Sequence, residues 1–384
     1  MTGSLALRQT HVLFIDAVRR LRAAKLFWIA LALSLLVSGL FAIVGIDESG
    51  LNILFFGEIA QEINTNVISA EAFYKFVFLT LGVGIWLAWA AIILALISTA
   101  DLIPSLIADG SADLYLSRPL NRVRLLLTRY VTGLLFVALQ ATCFAVASIV
   151  VFQIRGGVFL PGLLWCVPMV VAFFSLLYCI SSLVGLLTGS SVAAILVTLL
   201  VWFLSWGMDT TDQILLSQRE QARLTLEFRQ DQLDFNREQA ERMAGAGDMV
   251  RQTIADQEEP LTEAVVAAER SYESWWGTHR NLMWFKAPLP KTGETLAVLR
   301  RQLVSAAELE GIMPDFDDEV DRQAALRGDE RDEARFLRQL NQRAQTATQA
   351  AYDNRPLWWS IGTSFGFQGV LLAIACWVFG RRDL

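Results

Sequence analysis

The chain has 384 residues, 54% of them hydrophobic and 18% charged, where an ordinary soluble domain carries about a quarter charged residues. Its formal net charge of −6 is unevenly spread, because 28 of the 38 acidic and 19 of the 32 basic residues fall between Met208 and Arg355. The remainder is nearly free of charge, which excludes a soluble globular protein and a basic nucleic-acid binder and describes lipid-soluble spans around one large polar segment.

Residues 1–25 form an amphipathic interfacial helix by pattern: Leu7, His11, Phe14, Val18 and Leu21 share one face, with Arg8, Arg19 and Arg22 elsewhere around it. A bilayer core of about 30 Å needs about 20 apolar residues of helix. Six segments qualify, at about 26–46, 75–99, 128–152, 160–184, 190–207 and 357–380. The first runs on into Asp47 and Glu48 without a small-residue cleavage site, so it reads as a retained span. Between the fourth and fifth, the uncharged "LLTGSS" at 186–191 predicts a tight helical hairpin, with a buried re-entrant pair as the alternative. Inside the spans Gln140, Thr142, Ser181 and Ser182 read as helix-packing groups in preference to a polar path, and the four cysteines as packing residues.

Basic residues in the short flanks bias their side of the membrane toward the cytoplasm. Arg8, Arg19, Arg20, Arg22 and Lys25 precede the first span; Arg118, Arg122, Arg124 and Arg129 lie between the second and third; Arg381 and Arg382 follow the last. The opposite flanks hold Lys75 and Arg155. Both termini and the loop at 100–127 are therefore expected on the cytoplasmic side, and residues 208–356, after five crossings, outside. The domain plan is an amphipathic helix at 1–25, spans one to five over 26–207, an external helical domain at 208–356, and the sixth span with a short tail at 357–384.

Within the external segment, "QREQARLTLEFRQDQLDFNREQAERM" places Leu224, Phe228 and Phe235 on a helical face, and "AGAGD" at 244–248 breaks it. Further helical runs are expected at about 261–275, 293–310 and 316–353, with no sheet signal among them. "SYESWWGTHRNLMWFKAPLP" at 271–290 concentrates Trp275, Trp276 and Trp284 with Pro288 and Pro290. Tryptophan favours the membrane–water interface, so this stretch reads as an external interfacial segment. A soluble aromatic core under the helices is the alternative.

An enzyme reading finds little support: there is no phosphate-binding loop, no H-E-x-x-H, no G-x-S-x-G and no metal-ligand spacing of Cys or His. "PKTGET" at 290–295 lacks the upstream glycine spacing and a preceding strand. His11 and His279 are the two histidines, far apart in sequence. Ionisable groups, which mark proton and ion paths in membranes, are nearly absent from the apolar runs. The expectation is a non-enzyme without cofactor, whose energy for any transport comes from elsewhere.

The loop after the second span, "DLIPSLIADGSADLYLSRPLNRVRLLLTRY" at 101–130, supplies a route for it. After Asp101, residues Leu102, Ile103, Leu106 and Ile107 share a helical face, with Pro104 tolerated in the first turn. Asp109 and Asp113 flank Gly110, where the helix stops. Ser117 is an N-cap and Pro119 falls in the next helix's first turn.

At Asp109, Gly110, Asp113, Leu114, Leu116, Ser117, Pro119 and Arg122 the sequence resembles the membrane subunits of ABC exporters of the type-2 permease class, whose pattern here is close to D-L-x-L-S-x-P-x-x-R. The likeness is local, and the six-span plan agrees over the whole chain. It implies an all-α integral membrane protein in the bacterial cytoplasmic (inner) membrane, in which the 100–127 loop is a coupling helix seated on a separate ATP-binding subunit. Phe14, Val18, Arg19 and Arg22 would belong to the interfacial helix beside it. The implied function is a permease subunit working as a homodimer or with a homologous permease, in contact with membrane lipid and, through its external insertion, an envelope partner. An ATPase-driven mechanical transmitter or a membrane scaffold acting through the external helices, without moving a substrate, is the alternative.

Overall fold

The first long apolar run folds as α1 (Lys25–Leu40), extended by one 3-10 turn at Phe41–Ile43. Its buried residues Phe27, Ala30, Ser34 and Ser38 recur at helical spacing, and three of them are small, which lets a neighbouring backbone come close. In the computed structural model, which describes residues 15, 18, 19, 25–53, 57–60, 65, 68–107, 122–242, 248–286, 289, 291, 293–294, 343–348, 350–351 and 357–381, that neighbour is α4 (Arg122–Gly156). Ser38 donates to the Phe144 carbonyl at 3.1 Å, its hydroxyl lies 3.2 Å from that of Ser148, and Gln140 Nε2 donates to Ser34 Oγ at 3.3 Å. Gln140 is thus a helix-packing group in the buried α1–α4 seam.

Between the first two spans the chain makes a three-stranded antiparallel meander that sequence reading missed: β1 (Val44–Asp47), β2 (Gly50–Ile53) and β3 (Gly57–Ala60), ordered β1-β2-β3. Val44 pairs with Ile53 and Asp47 with Gly50. The turn is made by Asp47, whose Oδ1 accepts from the Ser49 amide at 3.0 Å, the Ser49 hydroxyl at 2.6 Å and the Gly50 amide at 3.2 Å. The expected all-α class therefore gains one small sheet. Each strand is only four residues long, too short for an alternating pattern to stand out beside a strongly apolar helix.

The second span starts at α2 (Ala70–Val77), capped by Ser69, whose hydroxyl accepts from the Ala72 amide at 3.2 Å. It continues in π-helical register over Phe78–Ala91, returns to α-helix in α3 (Ile92–Thr99) and ends in a 3-10 turn at Pro104–Leu106. After α4, α5 (Cys166–Thr188) is the most enclosed of the spans; its C-cap, Gly189, sits at φ +67°, the left-handed conformation in which glycine carries no Cβ penalty. Ser190 then caps α6 (Ser191–Arg242) by accepting from the Ala193 amide at 3.3 Å. The 186–191 break is accordingly a tight turn between two separate helices. α7 (Asp248–Lys286) and α8 (Leu357–Arg381) follow.

Among the described residues, six helical stretches are long and apolar enough to cross a membrane, so the chain is a helical multi-pass membrane protein. By internal contacts it divides into two units: one of residues 1–204, 290–314 and 357–384, the other of 205–289 and 315–356. In the first, the core is aromatic. Phe41, Phe78, Phe144 and Phe152 stack or meet edge-on with ring centroids 5.6–6.4 Å apart, and Tyr74 lies 4.9 Å from Phe152. In the second, α7 extends well beyond the helix expected at 261–275 and runs through Pro260. Proline ends many helices because it lacks an N–H; here Pro260 and Asp256, whose carbonyl it frees, are both exposed, so water can take that carbonyl. Most of the runs expected at 293–310 and 316–353 lies outside the described residues; 293–294, 343–348 and 350–351 are helical.

Candidate coupling segment and buried charge cluster

The segment after the second span was expected to be an amphipathic helix. Over 101–107 it is a tight turn, with Ser105 N donating to the Asp101 carbonyl at 3.1 Å, Leu106 N to Ile103 at 3.0 Å and Ile107 N to Pro104 at 2.9 Å. The bonding is tightened because Pro104 opens the turn at its first position. Asp101 is exposed, Leu102 joins the main aromatic core, and Ile107 is half-buried. Ile103 and Leu106, 1% and 2% exposed, pack with Leu125 and Leu126 of α4, Leu186 of α5, and Ala375 and Phe379 of α8. The aliphatic face read from the sequence is therefore what anchors this segment to three other helices. Arg122, half-buried, begins α4. Asp109, Gly110, Asp113, Leu116, Ser117 and Pro119 lie outside the described residues.

Just beyond, the helices are tied together by polar groups. Tyr130 of α4 donates to the Ser175 carbonyl of α5 at 2.8 Å and accepts from Gln368 Nε2 of α8 at 3.1 Å, while Ser175 Oγ donates to Gln368 Oε1 at 3.0 Å. Tyr130 stacks on Tyr178 at 5.1 Å and 16°, and Phe174 on Tyr178 at 5.2 Å. Arg129, counted from the sequence as a flanking charge of the loop, is 1% exposed inside α4 and heads the fully buried side chains by size.

The second unit holds a constellation that sequence reading missed. Asp209 and Asp212 stand three residues apart on α6, and His279 and Lys286 seven apart on α7, so each pair shares a helical face. Lys286 Nζ lies 2.7 Å from Asp212 Oδ2 and 2.8 Å from Asp209 Oδ1, and His279 Nε2 lies 2.9 Å from Asp212 Oδ1. All four residues are buried. Taking such charges out of water costs several kcal/mol per ion unless the pairing is close, which it is here. The facing signals were present in the two spacings, but nothing local joins positions 74 residues apart. Farther along the same two helices, Arg237 pairs with Glu258 at 3.0 Å.

The tryptophan-rich stretch is the end of α7. Trp275 is half-buried, Trp276 is exposed beneath the Arg280 guanidinium at 4.5 Å, and Trp284 and Phe285 are 78% and 72% exposed. Such exposure does not describe a buried aromatic core at Trp284. Pro288 and Pro290 lie outside the described residues, as do Phe14 and Arg22; Val18 and Arg19 are helical, half-buried and exposed respectively. The chain matches no protein-family model, no curated protein and no solved structure.

Proposed function

We propose that the chain is the membrane-spanning permease subunit of an ATP-driven export complex of the type-2 ABC class, paired with a second copy or a homologous permease and driven by a separate ATP-binding subunit. The observation that carries this reading is the anchoring of residues 101–107. Through Pro104 on Gly185, and Ile103 and Leu106 among Leu125, Leu126, Leu186, Ala375 and Phe379, the segment is packed on α4, α5 and α8. A push on it is a push on three helices at once, since packed interiors transmit displacement without compressing. The basic flanks support a cytoplasmic position for this end, where ATP is available, and a location in the bacterial inner membrane with both termini inside. The local D-L-x-L-S-x-P-x-x-R likeness at 113–122 supports the class.

A second reading is an ATPase-driven transmitter acting on an envelope partner. It is favoured by the length of α6, one uninterrupted helix from Ser191 to Arg242 that carries an apolar run into the polar segment.

The test is purification of the tagged full chain from native membranes in mild detergent. An ATP-binding subunit is expected at near-equal stoichiometry, with an ATPase rate that changes when the permease is present. Absence of any co-purifying ATPase under conditions that preserve the six-span fold would remove both readings. Removal of residues 212–270 and 305–350 separates them: export that survives favours the permease, and export activity never detected alongside loss of an envelope phenotype favours the transmitter.

A further inference from the structure

Buried ionisable groups at the end of an apolar run are costly and therefore functional by default. The cluster of Asp209, Asp212, His279 and Lys286 has a further property that follows from its atoms. Asp212 presents Oδ2 to the Lys286 ammonium at 2.7 Å, the pairing of an ionised carboxylate, and Oδ1 to His279 Nε2 at 2.9 Å. An ionised carboxylate only accepts hydrogen bonds, so Nε2 must carry a hydrogen and donate it. The neutral ring is thereby held as the Nε2–H tautomer, and Nδ1 is its remaining proton acceptor.

Adding a proton at Nδ1 makes the ring a cation without disturbing the bond to Asp212. That bond changes from a neutral donor on a carboxylate to a charge-assisted pair, the shorter and stronger class. The ring meets Asp212 of α6, which meets Lys286 of α7, which in turn meets Asp209 of α6. The bonds that His279 and Lys286 make to Asp212 run from α7 to α6, so their strength contributes to how firmly the two helices are fastened near Asp209 and Lys286.

We propose that Asp209, Asp212, His279 and Lys286 form a proton-binding site, with His279 as the acceptor, which fastens α6 to α7 when it holds the proton and slackens when it releases it. Histidine is the side chain that ordinarily changes charge between about pH 5 and 8. In the proposed orientation, on which this step rests, the unit lies on the outer side of the membrane and the site reads the pH of the surroundings directly.

Because His11 and His279 are the chain's two histidines, full-length H11Q labelled with 15N in its imidazole reports a single ring. In lipid nanodiscs, its nitrogen shifts between pH 5.5 and 8.5 give the protonation of Nδ1. Amide exchange over 205–216 and 276–286, corrected for the intrinsic pH dependence of exchange, gives the fastening. The ring is expected to take up a proton across this range, with protection in both segments higher by roughly fivefold at pH 5.5 than at 8.5, the scale of a neutral hydrogen bond becoming charge-assisted. H279Q, if folded, is expected to lose the pH response. A ring whose state stays fixed over the range, or one that titrates while protection stays flat, overturns the proposal on the histidine-bearing protein alone; so does a folded H279Q that keeps the same response.

Discussion

Gly185 of α5 lies against the ring of Pro104: a Cβ at Gly185 would stand 3.0 Å from Pro104 Cγ and 3.2 Å from Cδ, with the Ala194 methyl at 3.5 Å on another side. The proline also opens the turn that carries Ile103 and Leu106 into their apolar cluster. With no side chain at position 185, residues 101–107 pack directly on α5.

Gly185→Val is expected to lift that segment and to destabilise the protein by about 1–3 kcal/mol, the usual cost of adding bulk to a packed site. Thermal unfolding in detergent reads the loss, and Gly185→Ala should fall between the variant and the wild type. If the permease reading holds, ATP hydrolysis by the complex also loses its dependence on the permease in Gly185→Val. A Gly185→Val protein as stable as wild type, with both proline and leucine still buried, would show that the contact does not hold the turn.

The Tyr130–Ser175–Gln368 network joins three helices through two side-chain bonds on one phenol. Tyr130→Phe and Gln368→Leu are each expected to cost about 1 kcal/mol. Together they should cost less than the sum, with a coupling of about 0.5–1 kcal/mol in a double-mutant cycle, because both remove the same bond. Strict additivity in unfolding measurements would mean the phenol and amide do not interact.

In the charge cluster, Lys286→Met leaves Asp209 and Asp212 facing each other in a buried site. The expected loss is about 3–5 kcal/mol, the range for removing one partner of a buried ion pair. Adding Asp212→Asn to Lys286→Met should recover part of it by lowering the buried negative charge. Protease sensitivity of α6 and α7 in the intact protein would report both effects, and resistance equal to wild type in Lys286→Met would exclude a fastening role for the ammonium.

The β1–β2 turn gives a pH dependence of known sign. The Ser49 hydroxyl, helped by the Ser49 and Gly50 amides and by Asn52 against a weaker effect of burial, holds the Asp47 carboxyl below its usual value of 3.8. A folded-state value that is depressed stabilises the turn fully above the usual value, and the contribution is lost as pH falls through the depressed one. Amide exchange at Ser49 and Gly50 is therefore expected to quicken, after correction for its intrinsic rate, as pH drops below about 3.8. Asp47→Asn, which keeps an acceptor oxygen but cannot titrate, should show no such rise.

The six spans, the tight turn at 186–191 and the polar character of 208–356 were legible in the sequence, because length, hydropathy and a glycine break act locally and need no partner. The meander at 44–60 was not, since four-residue strands show their pattern only when paired. Nor was the full extent of α7, which runs through the exposed Pro260. At 101–107 the aliphatic spacing was readable, but its destination was not: Ile103 and Leu106 are buried by Leu125, Leu186 and Phe379, residues brought together from three other helices.

Sequence alone therefore determined that this chain is built to live in a membrane, since burial in lipid depends only on the length and apolarity of each run. Tertiary structure decided which of its polar residues act together. Pro104 meets Gly185, Tyr130 meets Gln368, and Asp209 and Asp212 meet Lys286 and His279 only when the folded helices bring distant faces within hydrogen-bond or van der Waals range. Those contacts act over a few ångströms, and the spacing of neighbours along the chain does not say which distant faces will meet.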